Sequence, residues 1–379
     1  MDFTFSEEQK MMKKLFREFA EKEIAPRADH IDKTGEFPRE NLQSLGREGH
    51  MGIPIPEEWG GAGADFLTYM FCLEEVSRAC ASTGVILAVH TSLGIYSILY
   101  HGTEEQKKKF VTPLAQGDML GAFALSEPEA GSDAAALKTR ARKDGNHYVL
   151  NGNKVWITSA GEADVYVVFA TMDPEKKTRG ITAFLVEKDT PGLLIGPKEK
   201  KMGLNGSATC ELIFDDCRVP AENLLGEEGG GFKIAMSLLD GGRIGIAAQG
   251  LGIAQAAFDQ ALQYSKTREQ FGRPIGDFQA IQFKLADMAT ELDAARLMVY
   301  RAAFHKDNDL PCTREASMAK VFATDLAMKA GIEAVQIFGG YGYSREYPVE
   351  RYMRDAKVTQ IYEGTNQIQR IVISREYLK

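Results

Sequence analysis

Apolar residues recur at three- and four-residue spacing over the first third of the chain. They gather into short strand-like runs in the middle and return to helical spacing at the end. At the start, Ser6 and Gln9 have the spacing of a capping box. Met11, Phe16, Phe19 and Ile24 form an apolar stripe that Pro26 is expected to end. Pro54, Pro56 and Gly60-Gly61-Ala62-Gly63 mark a loop, and Phe66 to Ala88 reads as a buried helix broken near Ser82-Thr83-Gly84.

The period changes in the middle. Tyr148-Val149-Leu150 and Val155-Trp156-Ile157-Thr158 read as two strands around an Asn151-Gly152 turn, because both turn positions tolerate positive φ. Val165–Ala170 and Ile181–Val186 read as two more strands, with a turn marked by Asp173-Pro174 and Thr178-Arg179-Gly180, and Cys210–Phe214 as another. Several short strands with turns predict a small antiparallel barrel. Beyond it, Ile244, Ala247, Leu251, Ala254, Phe258 and Leu262 make one helical stripe. Ile281, Leu285, Met288, Leu292, Ala295 and Val299 make a second, and Met318, Phe322 and Leu326 begin a third, as antiparallel bundle helices require. The expected fold class is therefore α+β, mostly α. A helical region spans 1–118, a β-barrel 119–228 and a helical bundle 229–379.

Composition narrows the function. With 44% hydrophobic and 26% charged residues among 379, the chain is of ordinary soluble type. Its net charge of −8, with no basic stripe, argues against nucleic acid. The five cysteines are odd in number and contain no Cys-x-x-Cys pair, which argues against a disulfide framework or a zinc site. The polar, acidic start lacks the pattern of a signal or transit peptide, and no uninterrupted apolar run reaches membrane-spanning length, so a cytoplasmic protein is expected. No Gly-x-Gly-x-x-Gly follows a strand, so any dinucleotide must be held outside a Rossmann fold.

Five stretches carry candidate chemistry. Ala122–Asp133 is a loop with hydroxyls, carboxylates and a glycine between apolar segments; it suits either a capping turn or a cradle of backbone donors. In an alternating strand Trp156 and Thr158 face one side, as either a cross-strand packing pair or a ligand-facing pair. Arg268-Glu269-Gln270-Phe271-Gly272 ends a helical stripe, where an arginine serves the helix terminus or reaches phosphate. Gln336-Ile337-Phe338-Gly339-Gly340 stops a helix and lets backbone approach a ligand. The chemistry-bearing motif is Ile361-Tyr362-Glu363-Gly364-Thr365-Asn366-Gln367, an acid among apolar and small residues.

This order of regions and these motifs resemble the acyl-CoA dehydrogenase family over essentially the whole chain, most closely its short-chain, butyryl-type bacterial members. The resemblance implies a helical domain, a middle β-barrel and a C-terminal four-helix bundle, assembled as a homotetramer. It implies FAD as cofactor and electron-transferring flavoprotein as partner. By the same resemblance Phe123, Leu125, Ser126, Gly131 and Ser132 line the flavin, with Ser132 also at the CoA arm. Trp156, Ile157 and Thr158 flank the ring, Thr158 donating to its N5. Arg268 and Phe271 reach the FAD of a neighbouring subunit, Gln279 its adenosine side, and Gln336, Gly339 and Gly340 its ADP part. Thr365 and Gln367 contact FAD; Asp240, Arg243, Tyr362 and Gly364 contact the acyl-CoA.

Glu363 matches the family's base. Some members carry the base instead just before the arginine that is Arg243 here; that position is Gly242, which cannot ionise. The implied reaction is loss of the α-proton to Glu363 and of the β-hydride to flavin N5, giving a trans-2-enoyl-CoA. The developing negative oxygen is met by the Glu363 N–H and the ribityl 2′-hydroxyl. The pocket floor is expected from Phe66–Ile98, including Val89, His90, Thr91, Ser92, Leu93 and Ile95, with His90 a packing residue. Branched, cyclic or dicarboxylic acyl groups and an oxidase-like flavoprotein remain as alternatives. A flavin-free binding protein would lack the yellow colour, and a di-metal bundle would need the Glu-x-x-His pairs this chain lacks.

Overall fold

In the structure, a computed structural model that describes residues 5–379, helices precede and follow a set of strands. Ser6 caps α1 (Glu7–Phe19) with the expected capping box: its hydroxyl accepts from the Gln9 N–H, and the Gln9 side chain accepts from the Ser6 N–H. Pro26 does not end the helix. A π-helical segment, Ala20–Ile24, leads straight into α2 (Ala25–Thr34), and Pro26 sits in the first turn of α2, where its missing N–H costs little. After α3 (Arg39–Arg47) come α4 (Phe66–Ala79) and α5 (Ala81–Val89). The break between them lies at the extended residue Cys80, a little before Ser82-Thr83-Gly84, which are helical and buried. A second π-helical segment, His90–Ile95, joins α5 to α6 (Tyr96–His101); short helices α7 (Glu104–Gln106) and α8 (Thr112–Gln116) follow. The stretch Ala81–His101 is long and apolar enough to cross a bilayer, yet it is buried as a core helix.

The strands are β1 (Gly121–Ala124), β2 (Arg140–Asp144), β3 (His147–Thr158), β4 (Val165–Thr171), β5 (Ile181–Glu187), β6 (Leu193–Ile195), β7 (Thr209–Pro220) and β8 (Leu224–Leu225). They run in the order β6-β7-β3-β2-β4-β5-β8, with β1 beside β4. The expected closed antiparallel barrel is thus corrected to an open, mixed sheet. The end strands β6 and β8, three and two residues long, are not paired with each other, and β1, which the chain reaches from the helical region instead of through a hairpin, pairs parallel to β4. Asn151-Gly152 is not a turn either. Both lie inside β3, and the β2–β3 hairpin turns at Gly145-Asn146. A Cβ at Gly152 would lie 2.7 Å from Thr139 Oγ1, so close approach is what this glycine serves.

The last group begins with α9 (Gly231–Thr267), followed by the small hairpin β9 (Glu269–Gln270) and β10 (Arg273–Pro274). Then come α10 (Gln279–Asp307), α11 (Thr313–Phe338), α12 (Val349–Thr359) and α13 (Asn366–Leu378). Helix α9 is the centre of the molecule, packing on α11, α4, α10 and α12. Its stripe of Ile244, Ala247, Leu251 and Ala254 is fully buried. At Gly252 a Cβ would overlap the Glu74 carbonyl, so α9 and α4 touch backbone to backbone. The stripe of α11 is corrected in part: Leu326 is buried as expected, but Phe322 is exposed, and most of the inner face is Ala316, Ala319, Ala323 and Ala327, small residues that admit α9 closely.

Candidate active site

The three groups of elements meet around a cavity of about 560 Å³. From the helical side Val85, Val89 and Leu93 form one wall. Of the expected floor, Thr91, Ser92 and Ile95 turn into the core, as does His90. His90 lies 3.0 Å (Nε2) from the Leu114 carbonyl and accepts at Nδ1 from the Gly121 N–H, pinning β1 to the π-helical segment. Burial pushes its pKa down to about 4, so it stays neutral, and it is a packing residue as expected.

The loop after β1 brings Phe123, Leu125, Ser126, Gly131 and Ser132 to the cavity, and β3 brings Trp156, Ile157 and Thr158. Simple alternation does not explain the β3 residues. A bulge between Lys154 and Ile157 interrupts the register, and Trp156 takes φ of 60°. A bulky residue in this region is strained, at a cost of roughly 1–3 kcal/mol. The strain holds the indole 64% exposed at the rim, which packing alone would not favour.

Opposite, the turn between α12 and α13 presents Tyr362, Glu363 and Gly364 to the same cavity. Glu363 and Gly364 both have positive φ, 55° and 86°. Their carbonyls are held by the Gln369 side-chain amide, at 3.1 and 3.0 Å. The Tyr362 hydroxyl donates to Gln249, which in turn donates to the Ala81 carbonyl. Burial pushes the Glu363 pKa up to about 7, against the pull of Arg243 and Lys320. Arg243 is 7% exposed, donates to Asp240 Oδ1 at 3.1 Å, and leaves its Nε–H without a partner at the cavity. Asp240 does not line the cavity; it stands behind Arg243 and also accepts from Thr313 at 2.6 Å. At Gly242 a Cβ would fall 2.7 Å from Glu363 Oε2, so the carboxylate fills the space a side chain there would need.

The remaining expected residues lie elsewhere. Arg268, the last cap residue of α9, lines a separate cavity of about 460 Å³ with Gly339 and Gly340. Its guanidinium stacks over Tyr341 and forms no ion pair among the described residues. Phe271, 93% exposed at positive φ, is the turn of the β9–β10 hairpin. Gln279 opens α10, and Gln336 lies in the last turn of α11; neither lines either of these two cavities. Thr365 caps α13 by accepting from the Ile368 N–H, and Gln367 is exposed. The two cavities share no lining residue.

Residues 6–118, 122–217 and 229–378 match the N-terminal, middle and C-terminal domains described for acyl-CoA dehydrogenases. The chain belongs to the acyl-CoA dehydrogenase family. As a member it is a flavoprotein oxidoreductase that acts on CH–CH bonds and uses FAD. It is 52% identical to a short-chain specific acyl-CoA dehydrogenase of Clostridium acetobutylicum, over 99% of both chains. It also superposes on butyryl-CoA dehydrogenase from Megasphaera elsdenii, with 50% identity, a TM-score of 0.98 and full coverage of both chains. A solved structure described as an electron transferring flavoprotein of Acidaminococcus fermentans contains a chain 54% identical, with a TM-score of 0.99 over all of both chains.

Two features of this dehydrogenase escaped the sequence reading. Lys154, fully buried on β3, pairs with Glu127 at 2.7 Å and donates to the Leu125 carbonyl. Glu127 also accepts from the Lys138 and Thr139 N–H groups. Burial pushes Lys154 down to about 8; burial alone would raise Glu127, but Lys154 holds it below the usual range. The pair fixes the loop that carries Leu125 and Ser126. The other is Lys320 of α11, also fully buried, which donates to the Gly364 carbonyl and to Asn366 Oδ1, each at 2.9 Å. Its signal was its place four residues after Ala316 and three before Ala323, on the alanine face.

Proposed function

We propose that the chain oxidises a short straight-chain acyl-CoA to the trans-2-enoyl-CoA, with Glu363 taking the α-proton and electron-transferring flavoprotein receiving the electrons. The observation that carries this is the Glu363 carboxylate in the wall of a shared cavity, facing a glycine and flanked by Arg243. A carboxylate with a pKa near 7 is a stronger base than an exposed one and is still half ionised at neutral pH. The Glu363 N–H, without a partner among the described residues, is the protein donor available to the thioester oxygen. Val85, Val89 and Leu93 limit the acyl end, in keeping with the short-chain and butyryl names of the relatives.

The residues present fit FAD. The strained, open indole of Trp156 offers an aromatic face, Ser126 and Thr158 supply hydroxyls, and Arg268 with Gly339-Gly340 offers a cation beside approachable backbone for a pyrophosphate. When bound, FAD supplies the acceptor for the β-hydride. Because Arg268 and Glu363 belong to different cavities, we read the functional unit as an oligomer, a homotetramer as the family implies, in which Arg268 serves a neighbour. We assign it to the cytoplasm.

The test is anaerobic titration of the yellow protein with butyryl-, hexanoyl-, isobutyryl-, glutaryl- and cyclohexanecarbonyl-CoA, beside Glu363→Gln. Bleaching by butyryl-CoA, lost in the variant, is expected. Equal bleaching with Gln at 363 would overturn the base assignment, and preferential bleaching by a branched, cyclic or dicarboxylic thioester would overturn the substrate class.

A further inference from the structure

The turn that presents Glu363 is conformationally expensive. Two successive residues have positive φ, and only the second is a glycine. Such a turn persists only where its surroundings over-determine it. Two side chains do so. Gln369 of α13 donates to both carbonyls of the turn, and Lys320 of α11 reaches across to donate to the Gly364 carbonyl. Asn366 locks the far side. Its oxygen accepts from Lys320, and its amide donates to Thr324 and Asp325 at 2.9 and 2.8 Å.

A lysine is a costly choice for such a clamp. Its ammonium is fully buried, although an amide could make the same two hydrogen bonds without burying a charge. What the lysine adds is charge. The charged groups acting on it are Glu363 in the turn, Asp325 on its own helix and Arg243 on α9. Those acting on Glu363 are Arg243 and Lys320. Among the described residues no acid bonds directly to the Lys320 ammonium.

We infer that Lys320 is a positioning residue of the reaction: it holds the Glu363–Gly364 turn in its left-handed conformation and, with Arg243, supplies the positive field in which Glu363 ionises. This rests on Glu363 being the base. Burial pushes Lys320 down to about 7 and Glu363 up to about 7, and each charge favours the other, so removing the Lys320 cation weakens ionisation of Glu363. The clamp couples base geometry to base strength, because any substrate that displaces water from the cavity strengthens both interactions.

The test reads proton abstraction without redox chemistry. A thioester with sulfur in place of its β-carbon can lose an α-proton but has no β-hydrogen to transfer. Its α-hydrogen exchange into D2O, followed by NMR on the purified flavoprotein across pH 5.5–9, therefore reports Glu363 alone. In Lys320→Met the exchange midpoint is expected to rise by about one pH unit, through loss of a nearby cation. The high-pH plateau is expected to fall by about tenfold, through loss of turn geometry. Lys320→Gln, which keeps the donors, restores the plateau but not the midpoint; Lys320→Arg restores the midpoint. The Gln and Arg variants decide the matter if Lys320→Met fails to fold. A midpoint unchanged in Lys320→Met or Lys320→Gln while Glu363→Gln abolishes exchange would overturn the role of Lys320 alone. Undiminished exchange in Glu363→Gln would overturn the base assignment itself.

Discussion

Replacing Glu363 by Gln should make the protein more stable, and by an amount that depends on pH. Glu363 is pushed from an ordinary value of 4.5 up to about 7 in the folded chain. A carboxyl whose pKa rises on folding binds its proton more tightly in the native state, so its contribution to stability is present at low pH. It is lost as pH rises from about 4.5 through 7. Gln mimics the protonated side chain at every pH. The shift of about 2.5 units corresponds to a ceiling of about 3.4 kcal/mol at about 1.36 kcal/mol per unit. Because Glu363 is only half-buried, solvent screening lowers this to about 2 kcal/mol. With an unfolding entropy of ~2.1 cal/mol/K per residue over 379 residues, the gain is about 2–3 °C in Tm. The assay is a pair of melting curves on ligand-free holoprotein at pH 5 and pH 8.5. The variant should gain little at pH 5 and the full increment at pH 8.5. Equal melting at both values, or a variant less stable at the higher pH, would refute a raised carboxyl at this site.

Other outcomes follow from the same geometry. Gly242→Ala puts a Cβ 2.7 Å from Glu363 Oε2 and should displace the carboxylate, lowering anaerobic flavin bleaching by about a hundredfold in a protein that folds normally if Glu363 is the base we propose. Lys154→Met leaves Glu127 buried and unpaired, which should cost about 3–5 kcal/mol and loosen the Leu125–Ser126 loop, read as an early-melting, flavin-releasing variant. Trp156→Gly removes the strain at φ 60° and should stabilise the flavin-free protein by about 1 kcal/mol while weakening flavin retention; a variant that holds flavin as tightly as the parent would mean that the indole serves only packing.

The sequence made the helices legible where local chemistry and burial agree. The Ser6–Gln9 capping box and the Ile244–Ala254 stripe are both local signals with one structural outcome. It misled where tertiary contact overrode the local signal. Asn151-Gly152 carries strong turn propensity, yet Thr139 crowds Gly152 and the strand runs on. Phe322 looked like core, but the close approach of α11 to α9 favours alanine inside and leaves the phenyl out. Glu363 was singled out through its motif, and the structure places it in the cavity wall. Its partners were not, because Lys320 lies 43 positions earlier in the chain and reaches the turn only through the packing of α11 against α13. Buried lysines are invisible to any reading that assigns charge to the surface.

The backbone contact at Gly252 has a mechanical consequence. With α9 pressed on α4 there, the wall bearing Val85, Val89 and Leu93 and the helix bearing Arg243 cannot swing apart as separate lobes. The cavity behaves as a fixed mould and not as a jaw. A longer acyl group must therefore be accommodated by trimming side chains, and Val85→Ala, Val89→Ala or Leu93→Ala is where a change of chain-length preference would begin.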